Sequence, residues 1–436
     1  MKILIGLGTK YLPAHGGAQK SVHCLAEGLA QRGHDCRLVV MGVHPSDQPA
    51  RAQFLEDLAA RGIELSQSEA GVDLLERNGV EVHNVWENFW QSRYLITQTQ
   101  TFGPDWIIIA EDWTNLLDAV RVVGPERFIH FVQSTMLLPF GPMSGRRDPA
   151  KARLFRQMAG VVVISHYMQA YVRRWGGREA TRLSLPVYGS VPFPRYENFE
   201  QGYVTLINAC AVKGLPIFLQ LARALPQVAF ATVAGWGTTA VDRAALAALP
   251  NVKLLSPTDD MDEIYSRTRV LLAPSLCDEG FGLVVVEAML RGVPVLASDL
   301  GGLPEAKLGV DYLLPVRPIE RYLPGVGDDL MPVPIVPDQD ASRWLATLQE
   351  LLSDRHGYEQ LSLQSRAAAS EFVGRLGIEA WEGYLNELRH TPQSVNVDPT
   401  EQALTGDPVL DRLESLSPEK RALLARRLAA SRKVSE

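Results

Sequence analysis

The sequence has few cysteines and no grouping of residues typical of a metal site. Its four cysteines, at positions 24, 36, 210 and 277, are scattered, with no CxxC pair and no zinc-ligand spacing. It contains no HExxH motif and no DxD motif suited to holding a substrate-bound cation. We therefore expect no metal and no cofactor. The cysteines are typical of the reduced thiols of a cytoplasmic protein.

A long apolar run and an excess of positive charge are also missing. No stretch approaches the ~20 apolar residues that a membrane span requires. The formal net charge of −7 gives no support for nucleic-acid binding. The first twelve residues, MKILIGLGTKYL, lack the apolar length and the cleavage site of a signal peptide, so we interpret them as a buried strand. We expect a cytoplasmic protein with no transmembrane segment and no nucleic-acid partner.

The pattern along the chain is an alternation of short apolar runs and amphipathic stretches. With 436 residues, 46% hydrophobic, the chain is too long for one ordinary core, so we expect two domains. The alternation predicts an α/β protein with parallel sheets covered by helices. The polar segment 44–79 is interpreted as a helical excursion at the surface. The strands predicted in the first half are Lys2–Gly8, Asp35–Met41, Val80–Val85, Trp106–Ala110, Arg127–Val132 and Val161–Ser165.

One βαβ unit carries the strongest chemical signal. A predicted strand, Val270–Pro274, leads through a glycine-rich loop into a predicted helix, Leu283–Arg291, and then into the strand Pro294–Ala297. Ligands collect at such loops, because the first-turn N–H groups of the helix have no intrahelical partner and attract anions such as phosphate. Glu287 lies within the otherwise apolar helix, where a carboxylate needs a bonding partner.

The loop and helix together resemble a known family. Residues 279–295 match the pattern E-G-F-G-x-x-x-x-E-A-x-x-x-G-x-P-V at every fixed position. This pattern is similar to that of the retaining glycosyltransferases of family 4, and the resemblance covers residues 1–390. It implies the GT-B fold, in which two Rossmann-like, doubly wound parallel-sheet domains face each other across a cleft. The alternative is a core helix capped by a glutamate beside a glycine turn.

The resemblance also implies a division of the chain. A proline-rich segment, 186–194, is interpreted as the link between the two domains. Residues 316–337 look like a loop insertion. The predicted parts are an acceptor domain (1–190), a nucleotide-sugar donor domain (191–374), a helix crossing back to the first domain (375–390), a linker (391–408) and a helical tail (409–436).

Within the donor domain, the resemblance implies the following roles. Lys213 and Glu279 are expected to be catalytic, with Lys213 facing the donor diphosphate and Glu279 the sugar hydroxyls. Glu287 would bond the ribose hydroxyls. Asn208 stands where the family has an arginine, so one cationic contact is missing. The remaining residues expected at the donor are Gly235, Gly280, Phe281, Gly282, Leu283 and Val284.

Within the acceptor domain, the resemblance places Gly16 and Gly17 opposite the diphosphate. Gln133 stands near the position where many members have a histidine, and glutamine cannot accept a proton at neutral pH. His130 lies inside a predicted strand and is interpreted as a core residue. The apolar loop with Met136 and Phe140 suggests an acceptor with apolar surface, although simple core packing explains it equally well.

Other functions remain open at this stage. Residues 235–240, GWGTTA, match G-x-G-x-x-A, but the acidic residues that follow begin a helix, so an oxidoreductase is disfavoured. A nucleotide-sugar epimerase or a phosphorylase would share the fold without transferring a sugar to an acceptor. A catalytically silent binding module of an assembly line is disfavoured, because Lys213, Glu279 and Glu287 are all present.

The C-terminal tail has a pattern of its own. Ser417, Pro418 and Glu419 form a helix start within the amphipathic stretch 409–428. The stretch resembles linker or docking helices of nonribosomal peptide synthetase and polyketide assembly lines. That resemblance implies a natural-product acceptor and a carrier or assembly-line partner. The alternative is a helix on the enzyme's own surface or at a dimer contact.

Overall fold

The computed structural model describes residues 1–390 except residues 15, 70, 146, 190 and 324–331. Residues Met1–Pro392 belong to one compact unit. The predicted linker (391–408) and helical tail (409–436) lie outside the described residues, as does the middle of the predicted insertion.

The first half of the chain builds a nine-stranded sheet, which we call the N-terminal sheet. Its strands are β1 (Lys2–Leu7), β2 (Asp35–Met41), β3 (Leu65–Glu69), β4 (Val72–Arg77), β5 (Val80–Val85), β6 (Trp106–Ala110), β7 (Phe128–Val132), β8 (Gly160–Val163) and β9 (Thr181–Arg182). Their spatial order is β3-β4-β5-β2-β1-β6-β7-β8-β9, and the pairs from β5 to β9 are parallel. The helices are α1 (Gly17–Gln31), α2 (Gln48–Ala60), α3 (Gln91–Thr101), α4 (Asp118–Val123), α5 (Pro149–Gln157) and α6 (His166–Tyr171).

The second half builds a fully parallel, six-stranded sheet, the C-terminal sheet. Its strands are β10 (Tyr203–Ile207), β11 (Phe230–Val233), β12 (Val252–Leu255), β13 (Thr268–Ala273), β14 (Val295–Ser298) and β15 (Leu313–Leu314), in the order β12-β11-β10-β13-β14-β15. The helices are α7 (Leu215–Ala224), α8 (Ala240–Ala247), α9 (Asp262–Tyr265), α10 (Leu283–Leu290), α11 (Leu303–Ala306), α12 (Ser342–Ser353), α13 (Arg355–Val373) and α14 (Glu379–His390).

The last described helix, α14, packs on the N-terminal sheet. The Trp381 ring is fully buried and lies edge-on to Phe131, with 4.9 Å between ring centroids. The indole N–H of Trp106 donates to the carbonyl oxygen of Leu385 at 3.1 Å. At the surface, Arg32, which directly follows α1, contacts Glu382 at 2.6 Å. The chain therefore returns from the C-terminal sheet to the N-terminal one, which joins the two sheets at a second place.

The prediction for residues 44–79 was wrong in its second half. Residues 48–60 form α2, but residues 65–77 form the antiparallel strands β3 and β4. The charged residues of this segment suggested a solvated helix. One of them, Asp73, is instead fully buried in β4, where Arg51 of α2 forms an ion pair with it (Nη2–Oδ1 2.8 Å). A distant cation thus allows an acidic residue inside a strand.

Candidate donor and acceptor site between the two sheets

The carboxyl-end loops of the two sheets meet at the loop before α10. The hydroxyl of Ser165, which follows β8, donates to the carbonyl oxygen of Gly280 at 2.5 Å. A methyl group on Gly280 would lie 2.2 Å from the carbonyl oxygen of Gln133, which follows β7. The backbone N–H of His166 donates to Oε2 of Glu305 at 2.8 Å. The two sheets are therefore in direct backbone contact around residues 278–283.

The loop before α10 is held in shape by its own glycines and by a neighbouring turn. Gly282 precedes the helix with φ 105°, a left-handed conformation that favours glycine. The N–H of Gly302 donates to the carbonyl oxygen of Glu279 at 2.8 Å. A methyl group on Gly301 would lie 2.6 Å from the backbone nitrogen of Glu279, so this turn packs directly against the loop. The arrangement fixes the first-turn amides of α10, which have no intrahelical partner.

Lys213 and Glu279 form the charged centre of this loop. Nζ of Lys213 donates to Oε1 of Glu279 at 2.5 Å, and the hydroxyl of Ser275 donates to the same oxygen at 2.5 Å. Burial disfavours the charged ammonium, but the attraction of Glu279 outweighs it, so the pKa of Lys213 is raised. The Lys213 ammonium is therefore charged at neutral pH. It can stabilise negative charge that develops on a ligand at this position.

Glu287 lies one turn inside α10 and is 4% exposed. Its Oε2 accepts a hydrogen bond from the hydroxyl of Tyr265 at 3.1 Å. Nζ of Lys20, from α1, lies 3.8 Å from its other oxygen. Burial, followed by the charge of Glu287, raises the pKa of Tyr265, so that hydroxyl stays a donor. Sequence analysis missed Lys20, although its place one turn after Gly16 and Gly17 was an available signal.

Asn208 ends β10 in a strained conformation. Its φ is 61°, which is uncommon for a residue with a side chain, and it is 8% exposed. Neither polar atom of its amide has a hydrogen-bond partner among the described residues. A methyl group on Gly235 would lie 2.3 Å from its Oδ1, so Gly235 leaves the room that this amide fills. Asn208 and Gly235 are thus neighbours at the ends of β10 and β11.

On the N-terminal sheet, the glycine loop and Gln133 lie together. The N–H of Gly16 donates to Oε1 of Gln19 at 2.8 Å, which caps α1. A methyl group on Gly17 would lie 3.5 Å from Cδ1 of Leu283, so the first turns of α1 and α10 face each other. The amide of Gln133 donates to the carbonyl oxygen of Ala18 at 3.4 Å. These residues border the same loop as Lys213 and Glu279.

Some of the apolar residues expected at the site lie in the core instead. The Phe140 ring is 8% exposed and packs edge-on to Phe155, with 4.8 Å between centroids. The surroundings of Phe140 are thus those of a residue packed in the core, which was the alternative to an acceptor contact. Met136 is half-buried. Phe281 is 5% exposed and its ring stacks on Phe372 at 5.7 Å. The ring of Phe281 is therefore part of the core.

Two acidic residues at the end of β6 were not predicted. Glu111 has φ 52° and follows a strand that lies between β1 and β7 in the sheet. Burial raises the pKa of Glu111 to about 7 and that of its neighbour Asp112 to about 6. Nζ of Lys151 lies 3.8 Å from Asp112. Glu111 therefore changes its charge near neutral pH at the carboxyl edge of the N-terminal sheet.

His130 lies in β7 within the core of the N-terminal half. It is 4% exposed, and its ring lies edge-on to Phe155 at 5.4 Å. Burial lowers its pKa to about 4, so the imidazole is neutral at physiological pH. Its Nδ1 has no hydrogen-bond partner among the described residues. The surroundings of His130 are thus those of a core residue.

The described part of the chain contains neither a metal-binding cluster nor a membrane-spanning helix. Among those residues, no group of three or more His, Cys, Asp or Glu side chains is placed to hold a metal ion. In the same residues, no helix is both long enough and apolar enough to span a membrane. A recess of about 370 Å³ lies between α7 and α12 and is lined by the second half of α7, away from the loop before α10.

The sequence matches two family models, one in each half. The model described as Glycosyltransferase Family 4 matches residues 15–185, and the model described as Glycosyl transferases group 1 matches residues 202–322. A D-inositol 3-phosphate glycosyltransferase of Corynebacterium diphtheriae is 28% identical over 126 residues, 29% of this chain and 25% of the relative. The alpha-1,3/1,6-mannosyltransferase alg-2 of Neurospora crassa is 48% identical over 61 residues, 13% of each chain. The chain thus spans about a quarter or less of the length of these relatives.

Solved structures match over a much larger part of the chain. A sucrose-phosphate synthase of Thermosynechococcus elongatus superposes with a TM-score of 0.63 at 17% identity, covering 89% of this chain and 97% of that one. HepE of Anabaena, solved in complex with UDP-glucose, superposes with a TM-score of 0.61 at 17% identity, covering 89% and 98%. These similarities, with the two parallel sheets, confirm the predicted GT-B fold.

Proposed function

We propose that this chain is a glycosyltransferase that moves a sugar from a nucleoside diphosphate sugar to an acceptor hydroxyl. Both family-model matches support transfer chemistry, and so do the names of the sequence relatives. The structures of HepE with UDP-glucose support a nucleotide sugar as donor for proteins of this fold. An epimerase or phosphorylase of the same fold remains the alternative, but no observation on this chain favours it.

One observation carries the proposal: a lysine, a glutamate and free helix amides converge on one loop. Lys213 lies 2.5 Å from Glu279, and α10 begins directly after the Gly280–Gly282 segment. A departing diphosphate needs positive charge and fixed N–H donors, which Lys213 and the first-turn amides of α10 supply. Glu279 then holds the sugar hydroxyls beside the reacting carbon. We propose that no resident metal ion takes part.

Glu287 is proposed to bind the ribose of the donor. Its carboxylate is buried, and the only hydrogen bond to it among the described residues is the one from Tyr265. A carboxylate with unused acceptor capacity inside a protein is costly unless a ligand bonds to it. Two neighbouring ribose hydroxyls match the two oxygens of a carboxylate.

We further propose that transfer retains the configuration at the anomeric carbon. The bond between that carbon and the diphosphate oxygen breaks, and the acceptor oxygen forms its bond on the same face. The acceptor proton passes to the departing phosphate oxygen, so no enzymic nucleophile is required. The carboxylates Glu279 and Glu287 lie beside a phosphate-binding turn, not across a scissile bond as in a glycosidase.

The proposal extends to the acceptor and to the location of the protein. The half-buried Met136 and the amide of Gln133 border the site and suit an acceptor with both apolar and hydroxyl groups. A natural product, presented by a carrier or assembly-line protein through the 409–436 tail, is the acceptor class we propose. The scattered cysteines of the sequence support a cytoplasmic location.

Donor binding tests the proposal directly. Wild-type protein is titrated with UDP-, GDP-, ADP- and TDP-sugars, and slow release of free nucleotide is followed for each. We expect one base to bind, and Glu287→Ala to lose that binding. Glu263→Ala removes an exposed carboxylate on α9 and serves as the matched control, which should bind like wild type. If the wild-type protein binds none of these donors, the proposed function is overturned.

A further inference from the structure

A lysine of the N-terminal sheet reaches the buried carboxylate of the opposite sheet. Lys20 lies one turn into α1, and its Nζ lies 3.8 Å from Oε1 of Glu287 in α10. The side chains are 5% and 6% exposed, so two buried charges face each other across the cleft. The separation is too long for a hydrogen bond. No hydrogen bond from this ammonium to another described residue is observed, so its donor capacity is unused in this state.

The surroundings of Lys20 leave few other partners for its charge. The ammonium lies 5.6 Å from the centre of the Tyr188 ring, which attracts a cation only weakly at that distance. The first turns of α1 and α10 pack against each other through Gly17 and Leu283. The void between them, bordered by Ser21 and Leu283, is about 20 Å³. Lys20 is therefore held by packing, with a single anionic neighbour among the described residues.

The charges of the C-terminal sheet are incomplete for a diphosphate. Lys213 is already paired with Glu279 at 2.5 Å. Asn208, at the end of β10, is neutral, and both polar atoms of its buried amide lack partners. A diphosphate carries more than one negative charge, so one paired lysine and helix amides leave part of that charge uncompensated. A second cation would complete the site.

We propose that Lys20 is that second cation: it binds the diphosphate of the donor from the opposite sheet. This proposal rests on the proposed function. When the ribose hydroxyls occupy the oxygens of Glu287, the ammonium of Lys20 is free to donate its hydrogen bonds elsewhere, and the diphosphate at the start of α10 is the anion that a donor brings closest to it. Lys20 lies on the same face of the cleft as Gly16 and Gly17, so its stem already points toward α10.

A comparison of ligands with and without phosphates tests this role. Binding of the nucleoside diphosphate, and of the corresponding nucleoside, is measured by calorimetry for wild type, Lys20→Met and Lys20→Gln. We expect each variant to bind the diphosphate about 10- to 100-fold more weakly, the loss typical of one charge-assisted bond, and the nucleoside as wild type does. Lys20→Gln keeps a polar group beside Glu287, so it covers the case in which Lys20→Met does not fold.

The controls separate this proposal from the one on which it rests. Lys253→Met removes an exposed lysine from β12 and should leave both affinities unchanged. Equal losses for the nucleoside and the diphosphate would mean that Lys20 only orients Glu287, and unchanged diphosphate binding would remove it from the site. Either result overturns the role of Lys20 while the wild-type binding still supports a nucleotide-sugar enzyme. No binding by wild type would instead reject the proposed function.

Discussion

Gly280 and Gln133 lie in backbone contact although they belong to different sheets. A methyl group on Gly280 would lie 2.2 Å from the carbonyl oxygen of Gln133, a distance that no real contact of this kind shows. Neither partner is a flexible side chain that could move away. The glycine at position 280 is therefore required for the two sheets to close on the loop before α10.

Substitution of Gly280 by alanine should prevent this closure. We expect Gly280→Ala to lower kcat/KM for transfer about 10- to 100-fold, because a displacement of about 1 Å at a reacting centre has costs of that order. Gly383→Ala is the control, since a methyl group there meets no atom within 4 Å. It should leave kcat/KM unchanged. Steady-state kinetics give kcat/KM for each variant. Wild-type activity in Gly280→Ala would contradict the backbone contact between Gly280 and Gln133.

Removal of the Lys213 charge should slow the reaction. We expect Lys213→Met to reduce kcat by about 100-fold or more, the usual loss when one group that stabilises developing negative charge is removed. Lys253→Met changes the same residue type at an exposed position of β12 and should retain full activity. Release of nucleotide from the donor gives the rates. A loss of less than threefold would show that Lys213 has no part in departure of the diphosphate.

Glu111 should make stability depend on pH. Its pKa in the fold is about 7, above the ordinary value of 4.5, so the folded protein retains a proton that the unfolded chain loses between these values. The free energy of unfolding therefore falls as the pH rises from 4.5 to 7, because the buried Glu111 loses its proton less readily in the fold than in the unfolded chain. We expect Glu111→Gln to be more stable than wild type by about 3 kcal/mol at pH 8, and equal to it near pH 4.

Thermal unfolding of both proteins at pH 4, 5, 6, 7 and 8 measures this difference. The gap in Tm should widen with pH and level off above pH 7. Glu263→Gln, on an exposed carboxylate, should follow wild type throughout. If the difference in Tm between Glu111→Gln and wild type is the same at every pH, the pKa of Glu111 is not raised by burial in the fold.

The tail should be dispensable for the chemistry at the cleft. Residues Met1–Pro392 form a compact unit by themselves, and all the proposed site residues lie within it. We expect removal of residues 400–436 to leave Tm and donor hydrolysis unchanged. If the tail docks a carrier protein, the same truncation lowers turnover only with a carrier-bound acceptor. Loss of donor hydrolysis would make the tail part of the catalytic unit.

Local sequence patterns determined much of the fold. The bounds of β2, β5 and β6 agree with the predicted strands, and α10 begins at the predicted Leu283. Each is a short apolar run or a helix with clear start and stop residues, so the information lies within a few neighbouring positions. The Glu279–Glu287 motif likewise identified the loop at which the two sheets meet.

Contacts between distant segments decided what the sequence could not. The burial of Lys20 against Glu287 joins positions far apart along the chain, and no local pattern encodes such a pair. The core positions of Phe140 and Phe281 depend on Phe155 and Phe372. The strand position of Asp73 depends on Arg51. Sequence by itself thus determined the elements and the central motif, because these depend on neighbours along the chain. Only the tertiary structure decided which charges are buried and paired, because that depends on partners brought together by folding.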